Sequence, residues 1–334
     1  MKFGHVDNPR QVDFTIPADH PDTTRLLKSN ASASDELEIS VGCAKWNKKD
    51  LKNFFPKGVK DELSYYSNQF NSIELNATFY GLFSTEMFEK WHATVPGNFK
   101  FYPKLEQTIS HYKRLNDVDE NVERNLSHMS HLREKLGMPF LQMPDNFGPK
   151  HFDRIVSFVE NWKHQTQLAI ELRHAAWFKD KKVSDQLCEL LKTHGITNVL
   201  VDTAGRRDMM HMRLTSPTAF VRWVGANDHE LDRSRLDEWV ERIAQWRASG
   251  LQRLAFFVHQ HEELESPALA AYFIERLNKM IGTELQIPKI IEKPQNAIRH
   301  HEMNPIHHPL SRTTGDWIEL FQIRHGLWFQ STPP

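Results

Sequence analysis

Between Leu37 and Ile287 the chain passes about eight times from a short apolar run to a longer segment with apolar residues at helical spacing, and few folds accept that rhythm. The strand candidates are Leu37 to Cys43, Ser72 to Thr78, Phe99 to Leu105, Pro139 to Met143, the run opening at Leu168, Ile196 to Val201, Ala219 to Val224 and Leu254 to Val258. Helical stripes lie between most of them, such as Phe152, Ile155, Val156, Val159 and Trp162, or Trp239, Val240, Ile243 and Trp246. Strand, helix, strand over roughly 250 residues is the pattern of a (β/α)8 TIM-type barrel. A doubly wound open sheet is the competitor, but no Gly-x-Gly-x-x-Gly turn follows the first strand and no P-loop occurs.

The expected organisation is an amino-terminal extension over 1–36, one barrel domain over 37–287 and a tail over 288–334. The extension is polar, with small residues at 29 to 34, and reads as irregular chain docked through Phe14 and Ile16. The tail is Pro- and His-rich, with His300-His301, His307-His308 and apolar patches at Trp317 to Phe321 and Leu327 to Phe329. Further on, Ser234 with Asp237 reads as a capping box opening the helix after the seventh strand.

Charge narrows the partners. The 42 basic and 43 acidic side chains balance, which disfavours a broad field for duplex nucleic acid and leaves a local basic pocket open. Two cysteines in 334 residues suggest reducing cytosol rather than a disulfide framework. No stretch reaches the roughly 18 to 20 apolar residues of a membrane span, so a cytoplasmic location with no membrane partner is expected. Nothing in the sequence speaks to oligomeric state.

In a barrel the strand ends gather at one mouth, and catalytic residues come from several of them. Here the ends supply Trp46, Glu74 with Asn76, Tyr80, Lys104, Gln142, Glu171 with Arg173, His174 and Trp177, Asp202, Arg222 and His259. Strand alternation puts Ser72, Glu74 and Asn76 on one face, and Ala169, Glu171 and Arg173 on another. Glu74 and Glu171 suit acid and base work if their pKa values are driven apart, or else they only neutralise Lys104, Arg173 and Arg222. Those cations favour a small anionic partner, a phosphorylated sugar or nucleotide-like compound. Trp46, Tyr80, Trp177 and Trp223 would wall the mouth.

No cofactor is required by this reading. The metal alternative takes Glu74, Glu171, Asp202, His174 and His259 as ligands of a divalent ion in an isomerase or phosphodiesterase, which the neighbouring Lys and Arg oppose. A further alternative, less favoured, is a non-catalytic barrel that binds nucleic acid or a protein partner.

The stretch Gly42 to Trp46, IELNATFY, the run Trp91, Pro96, Phe99 and Lys104, LQMPDNF, ELRHAAW and FVRWVG occur in this order. Together they resemble the successive motifs of the YecE-like family, the domain of unknown function numbered 72, from about Ile39 to Met280. The resemblance implies a TIM-type barrel with a pocket at Glu74, Asn76, Lys104, Glu171, Arg173, His174, Trp177 and Arg222. It implies no reaction. Two departures stand out: Val224, where members often have His, and His259 with Gln260, where many have an Asn pair.

Overall fold

The structure, a computed structural model, describes residues 4–31, 36–51, 53–260 and 263–291. The tail from 292 onward, with its His pairs and apolar patches, lies outside the described residues. The fold is mixed α/β. Its strands are β1 (Glu38–Cys43), β2 (Ser72–Leu75), β3 (Lys100–Pro103), β4 (Phe140–Gln142), β5 (Ala169–Glu171), β6 (Thr197–Asp202), β7 (Thr218–Gly225) and β8 (Arg253–Gln260). All their pairings are parallel, and each strand overlaps a run marked by apolar residues in the sequence, with β6, β7 and β8 extending one or two residues beyond it.

The helices follow the same order. α1 (Pro21–Asn30) precedes the strands and α2 (Glu62–Ser67) follows β1. α3 (Ala77–Tyr80) and α4 (Thr85–Thr94) follow β2, while α5 (Asp119–Met129) follows β3 and α6 (Phe152–Asn161) follows β4. α7 (Ala176–Lys179) and α8 (Lys181–Thr193) follow β5, α9 (His229–Ser249) follows β7, and α10 (Ser266–Ile281) follows β8. After β6 there is a 3-10 turn, Ala204–Met209. Among the described residues no helix is long and apolar enough to cross a membrane.

Two local expectations are corrected. The segment before β1 is not wholly irregular, because Pro21 at the first turn and the His20 ring, which accepts from the Asp22 amide, start helix α1. Phe14 and Ile16 are buried. The helix after β7 opens at His229, where the Asp228 carboxylate accepts from the Leu231 amide, so Ser234 and Asp237 fall inside it. Asp228 is as good a cap as Ser234 and comes first.

Six strands form one sheet in the order β1-β8-β7-β6-β5-β4, so the first strand pairs with the last, and β2 pairs with β3. Between β3 and β4 the link is made at Phe101 with Leu136 and at Lys104 with Phe140. Between β1 and β2 side chains replace the ladder. The Asn71 amide donates to the Ile39 carbonyl at 2.7 Å and accepts from the Val41 amide at 2.9 Å. The buried Tyr66 hydroxyl accepts from the Cys43 amide at 2.7 Å and donates to the Ser72 carbonyl at 3.0 Å. Gly42 lets the strands approach this closely, since a Cβ there would lie 2.1 Å from the Ser72 carbonyl oxygen. Tyr66→Phe removes both bonds while keeping the ring. It is expected to cost about 1–3 kcal/mol because the amide and carbonyl stay buried. The check is the urea midpoint at constant slope; an unchanged midpoint would show that the seam does not need the hydroxyl.

Alternation splits the strand residues into two layers. One face packs Ile73, Leu75, Phe101, Leu141, Ile170, Leu200, Val221 and Phe256 into the main core, together with Phe88, Trp91, Ile155, Val159, Trp239 and Phe273 of the helices. The other face forms a separate cluster in which Tyr102, Phe140, Phe220 and Phe257 lie 4.9–5.7 Å apart ring to ring, with Ala169, Val199 and Val201 around them. This second face leads to the site.

Candidate functional site

Two residues beyond five members of that inner cluster the side chains change from apolar to charged, amide or imidazole. Lys104 follows Tyr102, Gln142 follows Phe140, Glu171 follows Ala169, Arg222 follows Phe220 and His259 follows Phe257. The period of two keeps them on the same face, one layer nearer the carboxyl ends. Glu74 joins from β2.

Arg222 is the centre of this layer. Its Nε and Nη2 donate to Glu74 Oε2 and Oε1 at 2.9 and 2.8 Å, a bidentate pair, and its Nη1 donates to Glu171 Oε2 at 2.5 Å. Glu74 also accepts from Asn76 Nδ2 at 2.7 Å and is met by His259 Nε2 at 3.0 Å. Glu171 Oε1 accepts from Gln142 Nε2 at 2.9 Å and Arg173 Nε at 2.6 Å. Both carboxylates are fully buried, and every one of their oxygens has a donor. Lys104 Nζ donates to Gln142 Oε1 at 2.6 Å and lies 3.8 Å above the Phe79 ring. Among the described residues no carboxylate comes within ion-pair distance of it.

The electrostatics follow from this pairing. Burial alone would raise the Glu74 pKa, but Arg222 and then His259 outweigh it and hold the carboxyl well below the usual range. Glu171 is held at about 2 in the same way, against burial, by Arg222 and Arg173. Lys104 goes the other way. Burial, then the Arg222 and Arg173 charges, bring its ammonium down to about 7, with Glu171 and Glu74 opposing only in part. The arrangement therefore gives two carboxylates that stay ionised and one lysine able to exchange a proton near neutral pH.

The other residues expected at the mouth go elsewhere. Asp202 is corrected: Val199 and Val201 take the inward positions of β6, so Asp202 faces α9. There it accepts from Trp239 Nε1 at 2.7 Å and Arg235 Nη2 at 2.9 Å, and pairs with Arg207. The aromatic wall is corrected too. Trp223 alternates outward from Arg222 and stacks under Arg235, and Trp177 is buried with its Nε1 donating to the Phe147 carbonyl at 2.7 Å. Trp46 packs edge-on against Trp91 and Phe101 in the outer layer. Tyr80 is 75% exposed. His174 accepts from the Ala176 amide through Nδ1 and lies flat against Gly148.

Of the five residues considered as metal ligands, Glu74 and His259 meet at 3.0 Å, while Arg222 stands between Glu74 and Glu171 and Asp202 turns toward α9. Among the described residues no group of three or more His, Cys, Asp or Glu side chains is gathered to hold a metal ion.

Three neighbours escape sequence reasoning. Phe79, one position from the exposed Tyr80, supplies the face under Lys104. His111 packs edge-on to the same ring at 4.9 Å, and burial, then Lys104, Arg173 and Arg114, lower it to about 4. It sits in a π-helical turn, Thr108–Tyr112, which runs into left-handed Arg114, Leu115 and Asp117. Such strained backbone in non-glycine residues collects at functional sites. The third, Arg206, donates to the Arg173 carbonyl from the turn after β6.

Comparison with known proteins gives a family but no reaction. Residues 40–292 match the family described as protein of unknown function DUF72. The UPF0759 protein YecE of Escherichia coli is 27% identical over 273 residues, 75% of this chain and 97% of that protein. The UPF0759 protein YunF of Bacillus subtilis is 26% identical over 176 residues, 49% of this chain and 60% of that protein. A DUF72 family protein of Thermotoga maritima superposes with a TM-score of 0.56 at 23% identity, over 74% of this chain and all of that one. One from Enterococcus faecalis does so with a TM-score of 0.59 at 17% identity, over 75% and 100%. At those identities the solved structures speak for the fold alone.

Proposed function

This chain belongs to the DUF72 family, and we propose that it is a (β/α)8 barrel enzyme that binds a small anionic metabolite over the carboxyl ends of its strands. The barrel reading rests on β1 pairing with β8, on the side-chain seam at Asn71 and Tyr66, and on Arg222 of β7 reaching Glu74 of β2 across the inner face. The two unpaired, buried cysteines favour a cytoplasmic setting.

One observation carries the function: Lys104 is a buried ammonium whose hydrogen bond goes to the neutral Gln142 amide, and among the described residues no carboxylate lies within ion-pair distance of it. A cation left without a counter-charge in a low-dielectric place favours an anion there. Phosphorylated sugars and nucleotide-like compounds have the right charge. In this reading Glu74 and Glu171 are not the acid and base. They hold the cations in place, with Arg222 as the bridge, and Lys104 moves the proton.

The test is thermal unfolding with inorganic phosphate, glucose 6-phosphate, adenosine monophosphate or, as the neutral control, glucose. Ligand at about a hundred times its Kd adds about 2.7 kcal/mol, so the phosphorylated probes should raise the midpoint and glucose should not. Arg173→Gln should weaken the binding about tenfold, the loss of one charge-assisted contact. If none of the anions shifts the midpoint beyond the effect of chloride at equal ionic strength, the reading is lost.

A further inference from the structure

The family match begins at residue 40, yet residues before it reach the turn that follows β6. Gly4 is buried, and its carbonyl accepts from the Gly205 amide at 2.9 Å and the Thr203 hydroxyl at 3.4 Å. Its backbone is left-handed, and a Cβ on it would fall 2.1 Å from Thr203 Oγ1. Glycine meets both demands. On the other side of the turn, Arg207 Nη2 donates to the Phe14 and Thr15 carbonyls at 3.0 and 3.1 Å. The Phe14 ring lies 5.3 Å from the Arg207 guanidinium and 4.1 Å from that of Arg235. Arg10 anchors the same segment to Asp228 at the start of α9, with Nε–Oδ2 at 2.5 Å.

Between these two holds stands Arg206. Its guanidinium donates to the Arg173 carbonyl at 2.5 Å and to Asp208 at 3.1 Å, and lies 3.8 Å from Asp145. It therefore ties together the loops after β4, β5 and β6, and it fixes the backbone of the residue whose side chain grips Glu171. We infer that the amino-terminal segment is a positioning element of the site: Gly4 and Phe14 clamp the 203–209 turn, and Arg206 passes that order to Arg173. A group held from two sides before ligand arrives loses less freedom on binding. The consequence for affinity rests on the anion reading above. The mechanical coupling does not.

Hydrogen exchange followed by mass spectrometry on the full chain separates the two. Gly4→Val, which cannot keep its place against Thr203, should speed exchange in 203–210 and also at the Trp177 and Phe178 amides, which donate to the His174 and Ala175 carbonyls. Arg206→Gln should speed only the second set, Arg206→Lys should partly restore it, and the unfolding midpoint of both should stay near that of the native chain. Inorganic phosphate should bind both Gly4→Val and Arg206→Gln about fivefold more weakly, the size of an indirect coupling. Unchanged exchange at Trp177 and Phe178 in both variants overturns the inference. A native chain that ignores phosphate removes the anion reading, and the exchange data still decide the positioning.

Discussion

Arg222→Met is expected to cost about 3–5 kcal/mol or more at neutral pH, because removing one partner of a buried pair leaves the other uncompensated and Arg222 has two such partners. Glu74 and Glu171 are fully buried. The sign of the pH dependence identifies the cause. In the native chain both carboxyls are held below their ordinary 4.5, Glu171 at about 2. Their contribution is therefore present above 4.5 and is lost as pH falls toward 2. Without the guanidinium, burial dominates and the carboxyl pKa values rise, so the variant should gain stability as pH falls through the region where they take up protons. Native and variant chains should thus slope in opposite directions in urea unfolding across the acid range. Adding Glu74→Gln and Glu171→Gln to Arg222→Met should recover much of the loss. An Arg222→Met chain as stable as the native one, or one that weakens on acidification in the same way, would show that the bridge does not hold the layer together.

The charged layer was legible where strand parity was applied; strand ends alone also found Lys104, Gln142, Arg222 and His259, but they swept in Asp202 with them. Counting by two from Ser72 puts Glu74 and Asn76 together, and counting from Ala169 puts Glu171 and Arg173 together; in the structure these are hydrogen-bonded pairs. The same count at β6 would have sent Asp202 outward with Leu200, and at β7 it makes Arg222 and Trp223 opposites. Strand ends alone do not decide a site. The direction of the side chain does. Phe79, His111 and Arg206 were hidden for another reason: they sit in short or strained turns whose course depends on contacts far away in sequence. The β1–β2 seam is of this kind too, since no propensity marks Asn71 or Tyr66 as a replacement for a ladder. Part of the amino-terminal segment looked irregular because its order comes from docking, through Phe14 and Gly4, rather than from its own periodicity.

If the anion reading holds, Lys104 brings stability and binding into conflict, and Lys104→Met should separate them. The ammonium falls from 10.5 to about 7 on folding, through burial first and then Arg222 and Arg173. Below about 7 it is charged in both states, so the cost of burying it is fully present. From there to 10.5 the unfolded chain holds the extra proton, and native stability should rise with pH until the cost is gone. Methionine keeps the length and the contact with Phe79 but carries no charge. It should therefore flatten this slope and stabilise the protein by about 1–2 kcal/mol below neutral pH, since replacing a buried ion by an apolar side chain gains about 1–4 kcal/mol and the orphaned Gln142 carbonyl gives part of it back. On the anion reading, phosphate binding should fall at least about a hundredfold, the loss of a buried charge-assisted contact and of the uncompensated Lys104 charge together. A variant that is less stable at every pH, or that binds phosphate as well as the native chain, would mean that Gln142 and the Phe79 ring satisfy the ammonium without a ligand. The opposite pair of changes, more stable and no longer binding, is what a residue kept for its ligand rather than for the fold must show.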